Sequence, residues 1–308
     1  MHLSVFSPAS PEAARLLWLW DACMYVCGFI LAVVTLSMLY ILVRYRRRGG
    51  NDPEPDQTTG NRKLEIAWTA VPLALVGLLF GLSVMTARGV DHPIRRAADI
   101  VVNAHQWWWE VRYPGDVVTA NEIHIPLQQE TLIEIDAADV IHDFWVPQLT
   151  RKIDAVPGRK NFVWMRPEQT GVFSGACAEY CGAQHAWMRF RVVVEPAQTY
   201  QSWLGTQSAP AAAPAGGDAA AGRKLFGNLT CANCHNIRGI NSQRQYAPDL
   251  THVASRQMLA ADRLENTPQN LRQWMKEPNV IKPGCYMPNL KLSGNDLTQL
   301  TAFLETLR

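Results

Sequence analysis

Two long apolar stretches near the N-terminus constrain this chain most, because each is long enough to cross a membrane. Residues 22–43 and residues 66–87 each contain 22 residues without a charge. A helix needs about 20 such residues to span a hydrocarbon core of ~30 Å. We therefore predict a two-helix transmembrane hairpin followed by water-exposed regions.

The segment between the two spans is basic, whereas the tail before the first span carries a single cation, Arg15. The positive-inside rule places a basic connecting loop in the cytoplasm. Both ends of the chain, and everything after residue 88, are then expected on the outer side. The cations of this loop are Arg44, Arg46, Arg47, Arg48, Arg62 and Lys63. The net charge of the whole chain is only +2, and no recognition motif points to nucleic acid.

Residues 99–195 consist of short β-rich runs separated by turns. Turn sequences such as Tyr113-Pro-Gly and Val156-Pro-Gly divide the runs, several of which alternate apolar and polar residues. This pattern is typical of an antiparallel sandwich or barrel. A short helix is expected from residue 196 to residue 205. The small, Pro-rich and Ala-rich segment that follows, residues 207–217, is predicted to be a linker.

The β-rich region also holds a dense set of metal-binding side chains. Cys177, Cys181, His185 and Met188 lie within twelve residues of one another. Soft sulfur and imidazole ligands suit copper, and two cysteines separated by three residues could bridge two copper ions. His142, flanked by aromatic residues and a proline, is the best candidate for a second imidazole. A disulfide and a zinc site are the alternatives, but neither explains the methionine.

The C-terminal region carries a second metal signature, Cys231-Ala-Asn-Cys234-His235. Cys-x-x-Cys-His is the attachment pattern of c-type haem, in which the thiols form thioethers and the histidine binds the iron. A methionine is the expected sixth ligand, since it raises the reduction potential. Met287, in an irregular loop bounded by prolines, fits this role better than the other two methionines that follow His235.

The two motifs together resemble the cytochrome c oxidase subunit II family, in its caa3-type form with a fused C-terminal cytochrome c domain. The resemblance covers essentially the whole chain. It implies a cupredoxin-like Greek-key barrel and an all-α class I cytochrome c domain. The expected divisions are residues 1–90 for the tail and hairpin, 91–206 for the copper domain, 207–217 for the linker and 218–308 for the haem domain.

The same resemblance implies how a binuclear copper centre, CuA, would be held. Cys177 and Cys181 would bridge the two ions, and His142 and His185 would each bind one of them. The weak outer ligands would be the side chain of Met188 and the backbone carbonyl of Glu179.

Three further roles are implied by the resemblance. The carboxylate of Glu179 would reach a magnesium ion shared with a partner subunit. Trp107 would mark the surface where electrons arrive, and Glu65 would lie at the mouth of a proton pathway. Three consecutive tryptophans, residues 107–109, cannot all face one side of a strand, so at least one is expected to be exposed or at an interface.

On this resemblance the chain is subunit II of a haem-copper cytochrome c oxidase in a bacterial inner membrane, with both metal domains in the periplasm. It would carry electrons from an external donor, such as a cytochrome or a bc1-type complex, through haem c and CuA. Reduction of O2 to water, coupled to proton translocation, would occur in subunit I, so this chain holds no catalytic residue. Subunit III and membrane lipid are further expected partners. The alternatives are the CuA-type subunit of a membrane nitric oxide reductase and a copper carrier or redox sensor.

The remaining candidate ligands are assigned structural positions. Four further histidines, His2, His92, His124 and His252, have no partner pattern and are expected at the surface or in turns. Cys285, beside the Met287 loop, is expected to be an unpaired, packed thiol.

Overall fold

The computed structural model describes residues 3–46, 57, 59–241 and 246–308. Contacts divide the chain into two compact units, Ala14–His92 and a second unit formed by Met1–Ala13 with Pro93–Arg308. The predicted copper and haem domains therefore belong to the same unit. Three residues that the sequence analysis discusses, His2, Arg47 and Arg48, lie outside the described residues.

The hairpin consists of two long helices, α1 (Pro11–Arg44) and α2 (Arg62–Val90). In the part of the chain that the structure describes, these two helices are long and apolar enough to cross a membrane. Most of their large apolar side chains are exposed, as expected for helices that face lipid or partner helices. The side chain of Asn61 caps α2 by accepting two backbone N–H groups of its first turn. Glu65 lies in that turn and is exposed.

Ten short strands form the β-rich region. In chain order they are β1 (Ile100–His105), β2 (Trp108–Tyr113), β3 (Val117–Ala120), β4 (Glu122–Pro126), β5 (Thr131–Ala137), β6 (His142–Trp145), β7 (Ile153–Ala155), β8 (Asn161–Met165), β9 (Gly171–Cys177) and β10 (Arg189–Glu195). One five-stranded sheet has the order β3-β2-β1-β5-β8, and the other has the order β4-β10-β9-β6-β7.

The cupredoxin-like fold predicted from the sequence is confirmed, but the strands are not all antiparallel. β1 pairs with β5, and β4 pairs with β10, in parallel. The prediction was wrong at these pairs because side-chain alternation indicates which face of a strand is buried and says nothing about the direction of its neighbour.

Aromatic rings from three strands form the centre of the sandwich. Trp109, Phe144 and Phe190 are completely buried, with ring centroids 4.6 Å to 5.6 Å apart. Gly175 lies opposite Phe190 in the β9–β10 pair, and a Cβ atom there would be 2.3 Å from the Phe190 ring. The close packing of interiors leaves no space for it. This core packs against β6, β9 and β10 and fixes how these strands align with one another. The candidate copper ligands lie on these strands or in the loop between β9 and β10.

The rest of the chain is mainly helical, which confirms the predicted all-α domain. Among its described residues, the α-helices are α3 (Ala197–Ser208), α4 (Gly217–Asn228), α5 (Cys231–Cys234), α6 (Pro268–Lys276), α7 (Pro278–Ile281) and α8 (Gly294–Leu304). The short strands β11 (Met258–Leu259) and β12 (Leu264–Glu265) pair with each other. α4 crosses α8 at Gly222, where a Cβ atom would be only 2.0 Å from the carbonyl oxygen of Gln299. Thr267 caps α6, and a capping box between Ser293 and Asp296 opens α8.

Two histidines that we expected at the surface or in turns are buried. His124, in β4, lies between Glu122 Oε1 and Glu195 Oε2, each 3.1 Å from one of its ring nitrogens. His252 hydrogen-bonds with two backbone carbonyls, of which one belongs to the last residue of the chain. The prediction was wrong for His124, because the pairing of β4 with β10 brings Glu195 beside it from a distant position. His252 is buried but lies in a turn, as expected. His92 is exposed as expected.

Candidate copper and haem centres

The candidate copper ligands are positioned by β6, β9 and the loop between β9 and β10. β9 ends at Cys177, and the loop that follows carries the other three ligand side chains of the motif. His142 opens β6, which pairs with β9 so that Phe144 stands opposite Cys177. A hydrogen bond from the backbone N–H of Cys177 to the carbonyl of Met188 closes the base of the loop at 3.0 Å. The register of β6 against β9 therefore brings His142 beside Cys177, which lies 35 positions later in the chain.

Two thiols and two imidazoles meet in this loop. The Sγ atoms of Cys177 and Cys181 are 3.7 Å apart, much longer than a disulfide bond of about 2.05 Å, and both thiols are free. His142 Nδ1 is 3.9 Å from the sulfur of Cys177, and His185 Nδ1 is 3.7 Å from the sulfur of Cys181. Each thiol therefore has its own imidazole beside it.

The two remaining candidates complete the cluster. Met188 is fully buried, and its Sδ lies 3.8 Å from Cys181 Sγ. The carbonyl oxygen of Glu179 lies 3.2 Å from Cys177 Sγ. The carboxylate of Glu179 is exposed and borders an open cavity of about 570 Å³, which Gln106 and Tyr180 also line.

The charges in this cluster call for a cation. The hydrogen bond from Cys181, together with one from His142, lowers the pKa of the Cys177 thiol even though burial opposes ionisation. The Cys177 thiolate in turn raises the pKa of Cys181. Both thiols ionise together only when nearby positive charge offsets their repulsion. A donor set of two thiolates, two imidazoles and a thioether fits copper, whereas a tetrahedral zinc site would leave the thioether unused.

A carboxylate that the sequence analysis missed fixes the orientation of His142. The Nε2–H of His142 donates to Asp139 Oδ1 at 2.8 Å, which turns Nδ1 towards the sulfur atoms. Burial favours the neutral ring, but hydrogen bonds with Cys177 and Asp139 outweigh it and raise the pKa of His142. Asp139 also accepts the backbone N–H groups of Gln106 and Val140. A carboxylate behind a ligating histidine is a common support in metal sites, and its position three residues before His142 was the available signal.

Trp107 lies directly beside the cluster. Its Nε1–H donates to the carbonyl of Cys181 at 2.9 Å, and Gln106 Nε2 donates to the same carbonyl at 2.7 Å. All three consecutive tryptophans are buried. Trp109 points into the core, and Trp108 stacks on His105, whereas Trp107 lies at an interface with the Met287 loop, where the ring of Tyr286 stacks on it.

The haem-attachment motif forms the short helix α5 and the turn after it. His235 Nδ1–H donates to the carbonyl of Pro248 at 2.8 Å, which leaves Nε2 available as an iron ligand. Burial lowers the pKa of His235, so the ring stays neutral, as a metal ligand must be. Cys231 and Met287 border the same apolar core, and both motif cysteines are free. Met275, another methionine that follows His235, is buried in α6 as part of the same apolar core.

Models of three protein families match successive parts of the chain. Residues 1–85 match the transmembrane domain of cytochrome c oxidase subunit II, and residues 115–196 match the periplasmic domain of the same subunit. Residues 219–308 match cytochrome c. The order of these matches is the order expected for the caa3-type form.

Relatives of this chain are similar over most of its length. It is 34% identical to cytochrome c oxidase subunit 2 of Alkalihalophilus pseudofirmus over 100% of this chain and 91% of the relative. It is 32% identical to the Bacillus subtilis protein of the same name over 87% of this chain and 82% of the relative. The solved periplasmic domain of subunit II from Bradyrhizobium japonicum is 32% identical, covering 37% of this chain and 96% of that one, with a TM-score of 0.35.

The family matches and the relatives assign the chain to a cytochrome c oxidase as its membrane-anchored subunit II, which implies subunit I as its partner. The copper and cytochrome c regions imply copper and haem c as cofactors. The chain therefore belongs to the cytochrome c oxidase subunit II family, in the form that carries a C-terminal cytochrome c domain.

Proposed function

We propose that this chain accepts electrons from an external donor at a covalently attached haem c and delivers them through a binuclear copper centre to subunit I. There, O2 would be reduced to water with coupled proton translocation. The observation that carries the proposal is a cluster of six ligand groups, two of which are the unpaired thiols of Cys177 and Cys181 with their Sγ atoms 3.7 Å apart. When bound, the two cofactors supply one-electron transfer, and the residues of this chain hold and orient them.

At the copper centre, Cys177 and Cys181 would bridge the two ions, and His142 and His185 would bind one ion each. The thioether of Met188 and the carbonyl of Glu179 would be the outer ligands. The support for these assignments is that each group lies within 4 Å of one of the two sulfur atoms. Four of these residues, His142, Cys177, Cys181 and Met188, are buried, which would limit the access of water to the centre.

At the haem, Cys231 and Cys234 would form the thioethers, and His235 and Met287 would be the axial ligands. The Pro248 carbonyl that accepts from His235 fixes the ring tautomer. A methionine as the second axial ligand favours the reduced iron and raises the potential.

Two carboxylates are proposed to act where this chain meets subunit I. Glu179 would share a magnesium ion with that subunit, which its exposed side chain and open surroundings permit. Glu65, exposed in the first turn of α2, would lie at the mouth of a proton pathway. We place the complex in a bacterial inner membrane with subunit III, lipid and a cytochrome or bc1-type donor as partners.

Isolation of the tagged chain from membranes tests this function. We expect co-purification of a large haem-containing subunit, O2 consumption with a reduced donor, and haem bound covalently to this chain. The double variant Cys231→Ala/Cys234→Ala should abolish covalent attachment, whereas the control variant Cys285→Ala should retain it. Consumption of nitric oxide without O2 consumption would assign the chain to a nitric oxide reductase, and a copper-only monomer would indicate a carrier.

A further inference from the structure

The loop that leads to Met287 lies against the candidate copper loop. This segment, Lys282–Tyr286, is called the docking loop below. A Cβ atom on Gly284 would be 3.7 Å from Ala183 Cβ and 3.6 Å from the side chain of Gln184, so the two loops are nearly in contact there. The copper domain and the haem domain thus meet at the proposed metal ligands.

Lys282 makes the first specific contact of the docking loop. Its side chain is 5% exposed, and Nζ donates to the carbonyl of Trp107 at 2.6 Å. Burial lowers the pKa of Lys282 to about 8. Lysine is almost never buried without a partner, and here the backbone carbonyl that accepts from Lys282 belongs to the copper domain. An ammonium in this position ties the haem domain to the backbone of the electron-accepting surface.

Tyr286 makes the second contact. Its ring stacks on Trp107, with centroids 5.1 Å apart and an interplanar angle of 29°, and its hydroxyl donates to Gln106 Oε1 at 3.1 Å. Gln106 and Trp107 are the two residues that donate to the carbonyl of Cys181. Tyr286 therefore lies between the proposed axial ligand next to it in sequence and the residues that hold the copper loop.

Contacts on the other side of the copper loop fix the orientation of the haem domain. The guanidinium of Arg263 lies 4.6 Å from the centroid of the Trp187 ring, which belongs to the copper loop. Arg191 in β10 is buried and donates to Asp262 Oδ1 at 2.7 Å and to Gln257 Oε1 at 2.8 Å. Because these contacts and those of the docking loop lie on different sides of the copper loop, they restrain the rotation of the haem domain as well as its distance from the copper domain.

We propose that Lys282 and Tyr286 are positioning residues that keep the haem domain seated on Trp107 in the assembled oxidase. The Trp107 surface is then closed to any separate donor protein, and a soluble redox protein must dock on the haem domain. Trp107 is only 8% exposed in this arrangement. The role in electron transfer rests on the proposed function, whereas the contacts of Lys282 and Tyr286 with the copper domain do not depend on either cofactor.

Hydroxyl-radical footprinting of the assembled oxidase tests the proposal, because it reports the accessibility of each tryptophan. Trp107 should be protected in the native protein and in Tyr286→Phe, which keeps the ring. In Tyr286→Leu, loss of the stacking and of the hydroxyl should increase the undocked fraction roughly tenfold, which corresponds to about 1.4 kcal/mol. Trp108, which stacks on His105 within the copper domain, is the internal control.

Two further readouts keep the test decisive. Electron redistribution between haem and copper after photoreduction should slow in Tyr286→Leu and in Lys282→Met, while Tyr286→Phe should match the native rate. The haem absorbance and the copper resonance signal of each variant show whether both centres are intact. Because most of the Tyr286 side chain is exposed, its replacement should not unfold the haem domain. High labelling of Trp107 in the native oxidase, or unchanged labelling and rate in Tyr286→Leu, would overturn the proposal. Absence of both cofactors would instead refute the proposed function. The two failures are distinguishable, because footprinting reports the docking of the two domains whether or not the cofactors are bound.

Discussion

Replacement of Asp139 tests how far the copper centre depends on groups that do not touch the metal. The Asp139 carboxylate accepts the Nε2–H of His142 at 2.8 Å and also two backbone N–H groups, so Asp139→Ala frees the imidazole to rotate. Removal of a carboxylate behind a ligating histidine typically weakens metal affinity by about 10-fold to 100-fold. We expect a loss in that range for one of the two coppers, equivalent to about 1.4 to 2.7 kcal/mol.

Competition with a copper chelator, followed by metal analysis, measures this loss. Asp136→Ala is a matched control, because Asp136 accepts the backbone N–H of Ala137 and does not contact the imidazole of His142 through any hydrogen bond described in the structure. Asp139→Asn should give an intermediate affinity, since an amide keeps an oxygen acceptor but removes the charge. If Asp139→Ala retains both coppers with native affinity, the imidazole is fixed by other contacts and the reasoning fails.

Three further predictions concern the bridge, the buried histidine and the helix crossing. Cys181→Ser should leave at most one copper per chain by metal analysis, and two coppers sharing one unpaired electron would contradict the bridging role. The carboxylates beside His124 raise the pKa of its imidazole. The stabilisation from protonated His124 is therefore complete below about pH 6.5 and is lost as the pH rises through the raised pKa. The pKa of Glu122 is lowered, so the stabilisation from its carboxylate is lost only as the pH falls below about 4.3. Thermal unfolding should therefore separate His124→Gln from the native protein most between these values, and an equal difference at pH 9 would count against the pairing. Gly222→Ala should destabilise the haem domain by about 1 to 3 kcal/mol, because the added Cβ would meet a carbonyl of α8. Gly227→Ala on the same helix is the control, because open space surrounds Gly227 and no destabilisation is expected. Equal unfolding midpoints for the two variants would refute this account.

The elements defined by local pattern were predictable from the sequence. Uninterrupted apolar length gave the two spans, and Cys-x-x-Cys-His gave the attachment motif, since both depend on residues close in the chain. The caps at Thr267 and Ser293 were predictable for the same reason. The ligand spacing of Cys177 to Met188 also indicated which groups would meet, because a single loop carries them.

The features that depend on pairing of distant segments were not predictable. Nothing near His124 in sequence indicates that Glu195 lies beside it, because the parallel β4–β10 pair brings them together. The contact of Lys282 with Trp107 joins positions 175 residues apart. Such partners are set by tertiary packing, which local residue patterns do not encode.

The central claim is that two sulfur atoms hold a pair of copper ions that share charge. Electron paramagnetic resonance of the intact, oxidised protein, combined with a metal count, tests it most directly. We predict two coppers per chain and a hyperfine pattern from one unpaired electron spread equally over both nuclei. A zinc ion, a disulfide between Cys177 and Cys181, or the signal of a single copper would contradict the claim.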